Sequence, residues 1–211
     1  MDVSLNNVPI FCVDVGARKN FGWACLQERQ PSTGATIESL VEKLGVVADA
    51  RIPIAIGFES PLFIPCPSKP QLLGKGREGE GRRPFSATAG ALVAVHGLQQ
   101  MCWLLGILRG RYPEQSRATL LWNEFIKGGY DLFVWEAFVT EKAKTGSHVG
   151  DALAAAKAFQ EALPSPMDRS CVKCENPISI AGLALLWSGW TGNLRVLHEP
   201  TLVVKPTSAA K

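Results

Sequence analysis

The sequence predicts an α/β domain, a mixed β-sheet with helices on both faces. Two apolar runs, residues 8–15 (VPIFCVDV) and 21–26 (FGWACL), flank a short polar turn as an antiparallel hairpin does. Further strand-like runs then alternate with stretches of helical period. A chain of 211 residues with 46% hydrophobic and 19% charged residues is globular in balance and long enough for one well-buried core. The expectation is a single domain over residues 1–211.

The first run is continuously apolar up to Asp14, as in a strand buried on both faces. Residues 16–19 make the turn. Ile37, Leu40, Val41 and Leu44 recur at helical spacing and predict a helix over residues 36–48. Residues 52–58 (IPIAIGF) form the next strand, ending in Glu59, Ser60 and Pro61. Prolines at 65, 67, 70 and 84, with glycines at 74, 76, 79 and 81, exclude long regular structure over residues 65–84. Helices are expected at 86–109 and 116–127, and a strand at 130–138 with Glu136 near its end. Residues 149–162 are rich in alanine and carry Asp151 in the first turn, a strong helix signal. A last helix is expected over 177–187, with Pro177 at its start, and an edge strand or tail over 194–204.

The start of the chain lacks a basic region followed by a long apolar run, which argues against a secretory signal. Cys12, Cys25 and Cys102 sit in apolar runs, as reduced core thiols do, so a cytoplasmic setting is expected. Residues 86–108 lack Asp, Glu, Lys and Arg over 23 positions, enough to span a bilayer. Ser86, Thr88, His96, Gln99, Gln100 and three glycines make that stretch only moderately apolar, and no second span accompanies it. The expectation is a largely buried helix with no membrane partner, which could also hide part of a homodimer interface.

Asp14, Glu59, Glu136 and Asp151 each stand at the end of an expected element, where sites collect in α/β sheets. Glu136 stands among Phe133, Val134, Trp135, Ala137 and Phe138, and glutamate is seldom buried without a partner. Brought together, four carboxylates repel one another unless a cation joins them. Oxygen ligands select hard ions such as Mg²⁺ or Mn²⁺, so all four are candidate metal ligands and catalytic residues. Two such ions could activate water and steady the leaving oxygen of a phosphodiester. Taken singly, Asp14 could be a turn former, Glu59 a solvated strand end, and Asp151 a residue that favours its helix dipole.

Four stretches carry a resemblance: Val13-Asp14-Val15-Gly16 with Gly22-Trp23-Ala24; residues 56–62 (IGFESPL); residues 135–138 (WEAF); and residues 148–156 (HVGDALAAA). In these the chain resembles a predicted nuclease family of RNase H-like fold, a bacterial and archaeal group long labelled a domain of unknown function. The resemblance covers roughly residues 8–160. It implies an RNase H-like mixed sheet in which Asp14, Glu59, Glu136 and Asp151 bind Mg²⁺ or Mn²⁺ and hydrolyse nucleic acid, DNA or RNA. Holliday-junction resolvases share a similar four-carboxylate layout, so junction cleavage is open. The alternative is a non-catalytic RNase H-like module that binds nucleic acid or a protein. Two departures stand out: no third hairpin strand is evident between Gln30 and Thr36, and a Gly/Pro/Arg segment replaces the family's Arg and Cys-Asp signature. A hairpin opening D-x-G also begins the sugar-kinase and actin-like ATPase fold, but that fold needs two such domains.

In the irregular loop, Lys69, Lys75, Arg77, Arg82 and Arg83 outnumber Glu78 and Glu80, in a chain whose formal net charge is only +3. Lys75, Arg77, Arg82 and Arg83 are therefore candidate contacts to a nucleic-acid backbone, with a solvated surface loop the plain reading. Cys171-Val172-Lys173-Cys174 is a lone CxxC without a second ligand pair at zinc spacing. His148 either moves a proton near Asp151 or decorates a helix start, and His96 reads as a core histidine. Residues 16–22 lack the Gly-Lys-Ser/Thr ending of a phosphate loop.

Overall fold

The computed structural model describes residues 8–27, 30–81, 84–140 and 143–207. It has the mixed α/β architecture expected, compatible with an RNase H-like sheet. Seven strands form the main sheet: β1 (Ile10–Asp14), β2 (Gly22–Leu26), β3 (Ser32–Gly34), β4 (Ile54–Phe58), β6 (Ala118–Thr119), β7 (Leu132–Ala137) and β9 (Val203–Val204). Their order is β3-β2-β1-β4-β7-β6, with β9 also on β7. The β1–β2 and β2–β3 pairs are antiparallel, and β1–β4, β4–β7, β6–β7 and β7–β9 are parallel. A two-stranded antiparallel sheet joins β5 (Phe63–Pro65) to β8 (Pro177–Ser179).

Strand alternation sends side chains to two cores. Phe11 and Val13, Ile56 and Phe58, and Leu132 and Val134 pack towards α1 (Ile37–Asp49), α2 (Thr88–Arg109) and α5 (Ile180–Trp187). Ile10, Cys12, Phe133 and Trp135 pack the other way, with α3 (Trp122–Ile126) and α4 (His148–Glu161). That side is aromatic: Trp122, Phe133, Trp135 and Phe159 meet with ring centroids 4.6–6.2 Å apart. Gly57 makes room for it, since a Cβ there would lie 2.4 Å from the Trp135 indole.

The structure departs from the sequence reading at four places. β3 supplies the third hairpin strand that short, polar Ser32–Gly34 did not announce. The helix expected over 116–127 is broken into β6 and one short helix, α3. The helix expected from Pro177 starts only at Ile180, capped by Ser179, whose hydroxyl accepts from the Gly182 N–H; residues 177–179 pair with β5 instead. Finally, α2 is not largely buried. It is long and apolar enough to cross a membrane, and 28% of its most apolar 18-residue window is buried. Only Gly97, Met101, Leu104, Leu105 and Leu108 are fully covered. Leu92 and Val95 are 59% and 68% exposed, and His96 is half-buried.

Candidate metal centre

Asp14 closes β1 and Glu59 follows β4, the adjacent parallel strand. The Glu59 N–H donates to the Val13 carbonyl at 2.8 Å, so the β1–β4 ladder fixes the spacing of the two acids. Because Val13 pairs with Phe58, Asp14 and Glu59 fall in register one residue on, facing α4. The N-terminus of α4 comes to meet them. Gly22, opposite Asp14 on β2, has no Cβ; one there would lie 2.4 Å from the His148 carbonyl carbon. Ser147 caps the helix by accepting from the Gly150 N–H, which sets Asp151 in the first turn.

The ligand atoms of Asp14, Glu59 and Asp151 all lie within 4.8 Å of one another. Two basic side chains attend them. The Lys144 ammonium donates to Glu59 Oε1 at 2.6 Å and lies 2.8 Å from Asp151 Oδ2. His148 Nδ1 is 2.7 Å from Asp14 Oδ2. Asp151 Oδ1 also accepts from the Thr145 N–H at 2.7 Å and its hydroxyl at 2.9 Å.

These surroundings divide the three acids. Burial pushes Glu59 up to about 8, helped by the charge of Asp14 and only partly opposed by Lys144. Burial also raises Asp14, against the His148 hydrogen bond. Burial would raise Asp151 too, but the bonds from Lys144 and Thr145 outweigh it and hold that carboxyl below its ordinary value. For Lys144, Glu59 and Asp151 more than offset burial and raise its pKa.

Glu136, the fourth expected ligand, faces away from the cluster. It pairs in register with Phe58, so it points towards α1, α2 and α5 while Glu59 points towards α4. There it meets Arg77, whose guanidinium reaches its two oxygens at 2.6 and 2.8 Å, and it accepts from the Leu62 N–H at 2.9 Å. Burial raises its pKa, and Arg77 opposes the rise. Arg77 is thus no surface phosphate contact: its side chain is fully buried, also paired with Glu80 at 2.8 Å and stacked 4.5 Å over Phe63. Lys75 is exposed as expected, and Arg82 and Arg83 lie outside the described residues.

Lys144 and Thr145 escaped the sequence reading. Their only signal was position, a lysine and a threonine in the polar lead-in to the helix that carries Asp151. Cys171 and Cys174 are half-buried beside β9 and the two-stranded sheet.

The donor set fits a divalent cation. All three ligands are carboxylates, the class that Mg²⁺ and Mn²⁺ select. Glu59 Oε2 is moreover buried with no hydrogen-bond donor among the described residues, a vacant acceptor at the heart of the cluster. Beside it opens a groove of about 400 Å³, running from Glu59 and Lys144 past Pro61, Phe85, Val93 and Phe138. Ser60 anchors α2 along this groove: its hydroxyl donates to the Val93 carbonyl at 3.1 Å, close to Gly97, where a Cβ would clash with it. The chain matches no family model, no curated protein and no solved structure.

Proposed function

We propose that the protein is a divalent-metal-dependent phosphodiesterase acting on nucleic acid. The observation that carries this reading is the convergence of Asp14, Glu59 and Asp151 at the ends of two parallel strands and the start of a helix. With Glu136 on the opposite face, three carboxylates carry it, not four. A bound Mg²⁺ or Mn²⁺ would lower the pKa of water and neutralise charge on a phosphodiester. Asp14, Glu59 and Asp151 would hold the ion. Thr145 keeps Asp151 aimed by two hydrogen bonds, and His148 does the same for Asp14. His148 is 43% exposed, so it can also pass a proton to or from a reacting oxygen. Hydrolysis then adds water across one P–O bond and yields a phosphomonoester and an alcohol. The apolar walls of the groove suit a base or sugar better than a phosphate.

The test is hydrolysis of single-stranded, duplex and junction DNA, and of RNA, with Mg²⁺ or Mn²⁺ and with chelator. The wild type should cleave at least one substrate only with metal. Asp14→Asn should lose at least ~100-fold in rate, since several kcal/mol of charge stabilisation is at stake. Cleavage that Asp14→Asn retains would refute the assignment. One observation favours the non-catalytic alternative: the Lys144 ammonium already pairs with Glu59 and Asp151 without any ion. In that case the wild type binds nucleic acid, or a protein, and cuts nothing.

A further inference from the structure

Lys144 sits where a cation belongs. Its ammonium reaches one oxygen of Glu59 and one of Asp151, at 2.6 and 2.8 Å, and so bridges two of three carboxylates whose ligand atoms span only 4.8 Å. The bridge is incomplete, for Glu59 Oε2 remains buried and unpartnered, and Asp14 turns to His148 instead. One ammonium has a single charge and three donors; a divalent ion brings twice the charge to the same oxygens. A Lys⁺ and a divalent cation cannot share that space, because like charges a few ångströms apart repel strongly in a site this buried.

We infer that Lys144 is a built-in competitor of the metal: its ammonium closes the metal-free site and must swing away before Asp14, Glu59 and Asp151 can close on a divalent ion. This rests on the metal reading above, though not on catalysis. The geometry permits the exchange. Lys144 is 39% exposed, lies outside any helix or strand, and borders the open groove, so its four-carbon stem has solvent to enter. Asp151 does not depend on it for position, since Thr145 holds the other carboxylate oxygen. The lysine thus tunes how much free metal the site needs, and its pairing and metal occupancy oppose each other reciprocally.

Two measurements test this on the full chain. Mn²⁺ affinity by calorimetry should be at least about fivefold tighter in Lys144→Gln than in the wild type, within the ordinary range of coupling between linked sites. Lys144→Arg, which keeps the competing charge, should remain weak. Without metal Lys144→Gln should melt below the wild type, and saturating Mn²⁺ should raise its melting temperature by more. On the unmodified protein, amine acylation followed by mass spectrometry should find Lys144 protected with chelator and reactive with saturating Mg²⁺. Equal Mn²⁺ affinities in wild type and Lys144→Gln, or acylation of Lys144 unchanged by Mg²⁺, would overturn the inference while leaving the metal site standing. If neither protein binds Mn²⁺, the metal reading falls and this one with it. Tighter binding without hydrolysis upholds the inference and removes only the phosphodiesterase.

Discussion

Arg77 is enclosed by two carboxylates, Glu80 and Glu136, with an aromatic face beneath it and no exposed side-chain surface. The three residues tie the irregular loop to the end of β7 and to the Leu62 N–H behind β5. Removing the cation leaves two acids buried without their partner, which costs far more than the intact network contributes. Arg77→Met should therefore lose about 3–5 kcal/mol in denaturant unfolding, or fail to fold at all. A loss below 1 kcal/mol, the usual limit for an exposed pair, would show that the loop is not pinned in this way. That an arginine in a Gly/Pro-rich loop is core and not surface was not legible locally. Its partner Glu136 is 59 residues away, and only the fold brings them together.

At the scale of elements, the site depends on how closely α4 approaches the β1–β2 hairpin. Gly22 sets that distance, because its missing side chain leaves the space that the His148–Val149 peptide fills. Gly22→Ala should push the helix start away from β2 and cost about 1–3 kcal/mol, as overpacking does. The same shift separates Asp151 and His148 from Asp14, so Mn²⁺ binding should weaken by more than the stability loss explains. Calorimetry at a temperature where the variant is fully folded checks this, and an unchanged affinity would remove Gly22 from the geometry of the site. The hairpin, β4, β7 and α4 were all readable from apolar runs and the alanine-rich pattern. β3, β6 and β8 were not, because strands of two or three polar or mixed residues owe their form to the neighbour they pair with.

Across the whole molecule, buried acids make stability depend on pH. The folded chain holds a proton on Glu59 up to about pH 8, where the unfolded chain has already released it. Asp14 and Glu136 are shifted in the same direction. A raised carboxyl pKa contributes stability that is fully present below the unfolded value and is lost as pH rises through the folded one. Without metal, stability should therefore fall from about pH 5 to pH 8, by at most about 1.4 kcal/mol per pH unit for each proton retained. Melting curves with chelator across this range should show the decline, and Glu59→Gln should flatten it. A melting temperature that rises over that range would contradict the protonation assigned to the cluster.

The sequence by itself determined the fold class, the principal strands, the helix α4 and the four acids from which the cluster is drawn. Each of these rests on local information, the apolar periodicity and the position of an acid at the end of a run. The tertiary structure alone decided which acids share a face. Asp14 and Glu59 look towards α4, while Glu136, paired one residue earlier with Phe58, looks the other way. A register difference of one residue reverses the face of a side chain, and strands apolar on both sides carry no alternation from which to read it. Tertiary structure likewise decided that α2 leaves Leu92 and Val95 uncovered and that Lys144 fills the acidic cluster. Both depend on what lies opposite in space, which no run of neighbouring residues records.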